Sequence, residues 1–259
     1  MNNLSDMIWI EMRKALRSRI PLFTILGSLF PPLGVAFLVF VSRNPDISRK
    51  LGLISAKASL MSLTATNWPA YLVLSAQIIA AGDFFFFCMI ASWIFGREFT
   101  DGTLKDMLAV PVSRASILIA KFTAAGIWCA VLTLVTIIFS LVVGTILQLP
   151  QASTSILLQG TVVMAVTACL TFVTITPFAF LASVGRGYLL PIGVAILALM
   201  MANVFQVAGW GEYYPWAVAG LYTQAKSSLS AVSYGIVVLT GLAGMIATYL
   251  WWKYADQSR

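Results

Sequence analysis

Six long apolar runs constrain the fold of this chain more than any other feature of its sequence. They cover about 20–41, 70–95, 122–147, 156–184, 188–205 and 229–252. A helix needs about 20 apolar residues to cross the hydrocarbon core of a bilayer, and the six runs approach or exceed that length. Alternating ten-residue strands, which would indicate a membrane barrel, do not occur. The sequence therefore predicts an all-α integral membrane protein with six transmembrane helices.

The composition argues against soluble and nucleic-acid-binding classes. The chain has 259 residues, of which 60% are hydrophobic and 10% charged, against about 25% charged in a soluble domain. The net charge of +7 does not indicate nucleic-acid binding, because Lys and Arg flank the apolar runs; we expect them to set the topology and contact anionic membrane lipids. The absence of histidine excludes histidine-based zinc sites and triads. The three cysteines lie in apolar runs without CxxC spacing and are predicted to be buried: Cys88, Cys129 and Cys169.

The basic residues predict the orientation in the membrane, because they accumulate on the cytoplasmic side. With both termini inside, eleven of the sixteen Lys and Arg residues are cytoplasmic: Arg13, Lys14, Arg17, Arg19, Arg97, Lys105, Arg114, Lys121, Arg186, Lys253 and Arg259. The other five are outside: Arg43, Arg49, Lys50, Lys57 and Lys226. The count favours N-in and C-in, although four of the outer residues fall together in the connection 42–68.

The chain divides into an interfacial N-terminal helix, 1–19, and a single six-helix domain, 20–259. In the first part Leu4, Ile8, Met12 and Leu16 recur at helical spacing beside basic residues, which is typical of a helix lying on an anionic membrane face. A charged tail that only sets the topology is the alternative. The first apolar run follows at full spanning length, so we expect no cleavable signal peptide. Pro31 and Pro32 should break or kink the first span.

A charged segment between the second and third apolar runs is the main candidate site. Seven charged residues lie between 97 and 121: Arg97, Glu98, Asp101, Lys105, Asp106, Arg114 and Lys121. A charge at the centre of a bilayer is costly, so the segment should lie in water, at the head groups or against a soluble partner. Thr100 or Asp101 can cap a short helix that Pro111 ends, and Ser113 can cap the next span. An ordinary solvated loop is the alternative interpretation.

The order of Glu98, Gly102-Thr103-Leu104, Pro111, Arg114 and Lys121 resembles the segment between spans 2 and 3 of type-2 ABC-transporter permeases. In that family the segment is a coupling helix that docks on a separate ATPase subunit. The resemblance implies docking or hinge roles for Arg97 and Glu98, the contact itself for residues 103–109, and inner-leaflet anchoring for Arg114 and Lys121. The full implied coupling set is Arg97, Glu98, Gly102, Thr103, Leu104, Lys105, Met107, Leu108, Pro111, Arg114 and Lys121.

The whole chain is similar to a stand-alone permease of this family, of the bacitracin- and multidrug-export type. The resemblance implies an N-terminal elbow helix, outer re-entrant helices between spans 5 and 6, and a plasma (inner) membrane location. It also implies a second permease copy, as a homodimer or similar heterodimer, and two ATPase subunits that carry the ATP and Mg. This chain has no Gly-Lys dipeptide, hence no P-loop of its own, so we expect a permease without catalytic residues or bound cofactors. Many resembling permeases export antibiotics, peptides or lipids.

Asp83 is the candidate for a second kind of function. A lone carboxyl inside a span is either a functional site or a packed structural group, and both interpretations stay open. Further pathway candidates are the threonine stripe Thr167, Thr171 and Thr174, with Asn203 and Gln206, although threonines also bond their own helix carbonyls. The alternative function is an ion- or proton-coupled secondary carrier that uses Asp83. A non-transporting membrane partner that senses or anchors is a third possibility.

Overall fold

The computed structural model describes residues 3–43, 67–104, 107, 112–224 and 229–254. Six helical stretches in this part of the chain are long and apolar enough to cross a membrane, as predicted. They are Ile20–Val41, Trp68–Thr100, Arg114–Ile146, Thr154–Val184, Leu189–Val207 and Ala231–Tyr254. We call them spans 1 to 6. No strand occurs among the described residues.

The helices are α1 (Asn3–Arg17), α2 (Ile20–Arg43), α3 (Trp68–Ile78), α4 (Phe84–Thr100), α5 (Arg114–Ile146), α6 (Thr154–Thr174), α7 (Thr176–Val184), α8 (Leu189–Val207), α9 (Pro215–Gln224) and α10 (Ala231–Tyr254). A π-helical turn, Ile79–Asp83, joins α3 to α4, and a 3₁₀ turn, Gly211–Tyr213, precedes α9. Short helices therefore lie between spans 5 and 6. That they are re-entrant and lie on the outer face stays a prediction. Most of the predicted connection 42–68 lies outside the described residues.

Spans 2 and 3 are longer than the apolar runs that predicted them. Span 2 continues to Thr100 rather than ending near residue 95, and span 3 begins at Arg114 rather than near residue 122. Glu98 and Lys121 are consequently helical and buried, at 2% and 0% exposure. The prediction that the charged segment lies entirely in water or against a partner is wrong for these two residues, because they neutralise each other inside the protein.

Prolines act differently in spans 1 and 4. Helix α2 runs through Pro31 and Pro32, so the predicted break of span 1 is not observed. Span 4 is interrupted at Ile175, just before Pro177. The carbonyls exposed there find other donors, since the hydroxyl of Thr176 donates to the Val173 carbonyl at 3.1 Å and the indole of Trp216 donates to the Thr174 carbonyl at 3.0 Å. Helix α9 is thereby attached to the interruption.

The last span packs its backbone directly against the interruption of span 4. The Thr176 hydroxyl donates to the carbonyl of Gly241 on α10 at 2.8 Å. A methyl group on Gly244 would overlap the backbone of Thr176 and Pro177. Small residues allow such close approach of membrane helices. Cys88 and Cys129 are buried as predicted, whereas Cys169 is exposed because it lies on the outer face of α6.

Candidate functional site

Four oppositely charged side chains meet at one end of the bundle, and we call them the ion cluster: Glu11, Lys14, Glu98 and Lys121. The ammonium group of Lys121 lies 2.8 Å from Glu98 Oε1 and 3.3 Å from Glu11 Oε2. It also donates to the Ile94 carbonyl at 2.8 Å. The ammonium group of Lys14 lies 2.8 Å from Glu11 Oε1 and 3.3 Å from Glu98 Oε1. The cluster thus joins α1, α4 and α5.

Burial makes the charge balance of the ion cluster important. Two carboxylates face two ammonium groups, so its formal charge is zero. Burial alone would raise the pKa of Glu11, but Lys121 and Lys14 outweigh it and hold that pKa below its usual value. Burial opposes the charge of Lys14, yet Glu11 and then Glu98 raise its pKa. Glu98 Oε2 is buried and has no hydrogen-bond partner among the described residues, so the contacts of this carboxylate that the structure describes are made by its other oxygen.

Helix α1 contributes to the cluster through the face that it packs against the bundle. Met7, Glu11 and Ala15 are buried and recur every four residues, which places them on one side of the helix. The predicted membrane-facing stripe is divided, because Ile8 and Met12 pack against the core whereas Leu4 and Leu16 are exposed. α1 is therefore a helix attached to spans 2 and 3 through a buried face.

The segment that joins spans 2 and 3, residues 101–113, begins next to the cluster, and we call it the connecting segment. Asp101 ends α4, and Gly102 follows with φ of 70°, a left-handed conformation suited to glycine. Gly102 and Thr103 are exposed, whereas Leu104 is buried in the same core cluster as Met7. Met107 is partly buried, and its amide donates to the Thr103 carbonyl at 3.1 Å.

The buried Leu104 fixes the beginning of the connecting segment to the core, whereas Gly102 and Thr103 are exposed. The hydrogen bond from Met107 to Thr103 has the spacing of a helical turn. Lys105, Leu108 and Pro111 belong to the predicted coupling set and lie outside the described residues. Their roles stay predictions.

The far side of the segment is fixed by a cap and a long-range contact. The Ser113 hydroxyl accepts from the Ser116 amide at 3.1 Å, as the sequence indicated. The guanidinium of Arg114 donates to the carbonyls of Trp252 and Lys253, at 2.5 Å and 3.0 Å, and so binds the end of α10. The expected lipid-anchoring role of Lys121 is wrong, because its side chain is fully buried in the ion cluster.

Arg97 lies on the surface beside the connecting segment. Its guanidinium is 3.2 Å from Asp101 and packs 5.1 Å from the ring centroid of Trp93. Both partners of the ion pair are partly exposed, so the pair contributes little to stability. The described members of the coupling set therefore divide into residues buried between the helices, such as Glu98 and Lys121, and residues exposed at the surface, such as Gly102 and Thr103.

Asp83 lies at the end of the π-helical turn and is fully buried. Among the described residues, neither of its carboxyl oxygens makes a hydrogen bond of good geometry, although the Thr136 hydroxyl is close enough to interact with it. The buried hydroxyls of Ser140 and Tyr71 likewise face each other without a well-formed hydrogen bond. Thr136 faces Asp83 from α5. Such unsatisfied groups are costly in a membrane interior and mark a site that needs a functional explanation.

The other pathway candidates lie on two helices, the three threonines on α6 and Asn203 and Gln206 on α8. Thr167, Thr171 and Thr174 are buried, and each hydroxyl donates to a carbonyl of its own helix at 2.7 to 2.8 Å. Asn203 is exposed on α8 and donates to the Leu199 carbonyl. Gln206 is half-buried against Gly211. The threonine hydroxyls therefore have partners, in contrast to Asp83, and the pathway roles of all these residues stay predictions.

Glu11 and Lys14 are the site residues that the sequence did not reveal. Lys14 was counted only as a topology signal, and Glu11 was not singled out. The available signal was the spacing of Met7, Glu11 and Ala15, which places a carboxylate on the face of α1 that carries small and apolar residues. A carboxylate on such a face indicates a buried cationic partner on another helix.

Comparison of the sequence with known proteins finds a family model and a similar protein. The family model for the ABC-2 family transporter protein matches residues 7–203, a range that includes most of α1, Asp83, the ion cluster and the connecting segment. The chain is also similar to the bacitracin transport permease protein BCRB of Bacillus licheniformis. The two are 26% identical over 174 residues, which cover 65% of this chain and 82% of the relative.

Proposed function

The chain belongs to the ABC-2 transporter family, and we propose that it is the membrane subunit of an ATP-driven exporter whose ATP is hydrolysed by a separate subunit. Membrane subunits of this family transport and are not themselves catalytic. We further propose a plasma-membrane location with both termini in the cytoplasm, a pair of permease chains, homodimeric or heterodimeric, and two ATPase subunits that hold ATP and Mg.

The observation that carries this proposal is the position of the ion cluster around the connecting segment. Glu98 precedes the segment and Lys121 follows it, and their charged groups are 2.8 Å apart. Breaking a buried pair by separating its partners costs about 3–5 kcal/mol. A force on the segment therefore moves the adjoining ends of spans 2 and 3 together, with α1, rather than pulling them apart.

The exposed part of the connecting segment is the proposed docking surface. Gly102 and Thr103 project from the end of span 2, while Leu104 fixes the segment to the core. We propose that residues 105–111 complete the contact with the ATPase. Closure of the ATPase subunits then displaces a segment that is anchored at Leu104 and at Ser113, and spans 2 and 3 carry the displacement into the membrane.

We propose an amphipathic cargo, such as an antibiotic, a peptide or a lipid-like molecule. The relative from Bacillus licheniformis is named a bacitracin transport permease, which supports this class by similarity. Asp83 is the strongest candidate for the pathway, because it is fully buried and makes no well-formed hydrogen bond among the described residues. A secondary carrier that uses Asp83 remains the alternative function.

The test is co-expression with a P-loop ATPase encoded beside this chain, followed by detergent pull-down and reconstitution in liposomes. We expect the ATPase to co-purify, and its ATP turnover to be stimulated by the permease. Scrambling residues 105–110 should abolish capture. Scrambling residues 225–228, in the connection before span 6, is the control and should leave capture intact.

Two results would replace the proposal. If no ATPase is captured and an ion gradient alone drives transport in an Asp83-dependent way, the chain is a secondary carrier. If the ATPase is captured by both scrambled variants, the connecting segment is not the docking surface.

A further inference from the structure

A basic cleft lies between α1 and the end of span 2, beside the ion cluster, with which it shares Lys14. It is lined by Ile10, Arg13, Lys14, Arg17, Ser18, Trp93, Arg97 and Asp101. Its volume of about 580 Å³ is within the range of small-molecule sites, about 300–1,000 Å³. The lining contains four basic residues and one acidic residue, so an occupant of the cleft should be an anion.

Most of the charges around the cleft are already neutralised by neighbours. Lys14 belongs to the ion cluster, whose two carboxylates balance two ammonium groups. Arg97 pairs with Asp101 at 3.2 Å. Arg13 and Arg17 remain, and neither has an ion-pair partner among the residues that the structure describes. The uncompensated charge of the cleft is therefore carried by these two guanidinium groups.

Arg13 and Arg17 are one helical turn apart on the same side of α1. Like charges at this spacing repel each other and destabilise a helix slightly. An anion between them reverses that effect, and guanidinium groups bind phosphate oxygens in a bidentate geometry. The spacing of about 5–6 Å between their Cβ atoms allows both to reach one phosphate group.

Apolar residues beside the cleft favour a lipid over an acidic protein surface. Ile10 is exposed at the edge of the cleft, and the half-buried ring of Trp93 forms part of its lining. Trp93 lies seven residues before the end of span 2 at Thr100, which is about 10 Å along the helix. Tryptophan at that depth is typical of the head-group region. The cleft thus offers a cationic part for a head group and an apolar part for a chain.

We propose that this cleft binds one anionic phospholipid of the inner leaflet. Its phosphate lies between Arg13 and Arg17, and the beginning of one acyl chain packs on Ile10 and Trp93. Because α1 is also tied to spans 2 and 3 through Glu11, the bound lipid rests against the unit that adjoins the connecting segment. This inference goes beyond the proposed export function and does not depend on an ATPase partner.

The test is lipid titration of the purified full-length chain by native mass spectrometry, with phosphatidylglycerol and phosphatidylcholine of the same chain length. Wild-type protein should bind one phosphatidylglycerol in preference to phosphatidylcholine. Arg13→Gln and Arg17→Gln should each weaken phosphatidylglycerol binding about tenfold, the loss of one charge-assisted contact. Arg17→Lys should show a smaller loss, because it keeps the charge without the bidentate geometry.

Arg19→Gln is the matched control, because Arg19 is exposed near the cleft and does not line it. It removes the same charge and should leave affinity unchanged. Reaction of the buried Cys88 and Cys129 with a thiol dye on heating verifies that every variant is folded. Equal binding of the two lipids, or an equal loss in Arg19→Gln, would overturn the proposal. So would variants at Arg13 and Arg17 that keep lipid binding and lose capture of an ATPase, since the cleft would then be a protein-docking surface.

Discussion

Removing one charge from the ion cluster should destabilise the protein more than removing one positive and one negative charge together. Lys121→Met leaves Glu11 and Glu98 facing only Lys14, and Glu98→Gln leaves two ammonium groups facing Glu11 alone. The double variant retains the pair of Glu11 and Lys14, which lie 2.8 Å apart. Its formal charge is again zero. The two substitutions should therefore compensate each other.

The size of the effect follows from burial. Lys121 and Glu98 are 0% and 2% exposed, and truncating one partner of such a pair costs about 3–5 kcal/mol. A neutral, well-packed replacement of both partners is far less costly, so we expect the double variant to lose about 3 kcal/mol or less. For a chain of this size the single variants should melt about 6–20 °C lower than wild type, at about 2–4 °C per kcal/mol.

The buried cysteines provide the assay. Cys88 and Cys129 become reactive toward a thiol-specific dye only when the bundle opens, and Cys169→Ser removes the background from the exposed thiol. Asp101→Asn is the control, because it breaks an exposed ion pair with Arg97 and should cost less than about 1 kcal/mol. A double variant whose loss equals the sum of the single losses would refute the idea of one coupled cluster.

Three further substitutions test other parts of the structure. Gly244→Ala should destabilise by about 1–3 kcal/mol, because the methyl group overlaps the backbone at Pro177, whereas Gly235→Ala on the same helix meets open space and should be neutral in the same melting assay. Asp83→Asn keeps the shape of an unpaired buried side chain, so it should leave the melting temperature within a few degrees and reduce transport in liposomes; unchanged transport would assign Asp83 a packing role. Glu11 has a lowered pKa in the folded protein, so its contribution is complete above its usual value of 4.5 and is lost as the pH falls through the folded value. Glu11→Gln should therefore lose less stability than wild type between neutral pH and about pH 3, measured by the same melts. If both proteins lose the same melting temperature on acidification, the lowered pKa of Glu11 does not contribute to stability.

The sequence predicted the six spans because run length alone determines which segments can cross a bilayer. It missed where spans 2 and 3 end, because those ends depend on pairing between residues distant in sequence. Glu98 and Lys121 are 23 residues apart and neutralise each other within the protein. A single sequence shows that both charged residues are present but not that they are in contact. Considered one at a time, each is therefore predicted to lie in water.

The same limitation explains the division of the candidate site. The sequence correctly indicated that Ser113 caps span 3, because capping depends on residues within one turn. It did not indicate that Arg114 reaches the end of α10, a contact across 138 residues. Nor did it predict that Thr176 and Trp216 would donate hydrogen bonds to the carbonyls of Val173 and Thr174 at the interruption before Pro177. Local chemistry was predictable, and long-range polar pairing was not.

The positions of the buried charges also bear on how movement enters the membrane. Asp83 lies fifteen residues before Glu98 on the same span, about 22 Å along the helix axis. The π-helical turn lies between α3 and α4, and such turns are points where a helix departs from regular hydrogen bonding, frequently at functional sites. Helix α4 therefore connects a charged cluster that holds α1 and span 3 to an irregular turn that carries an unpaired carboxyl. If α4 moves as a rigid element when the connecting segment is displaced, the turn that carries Asp83 must move or bend with it.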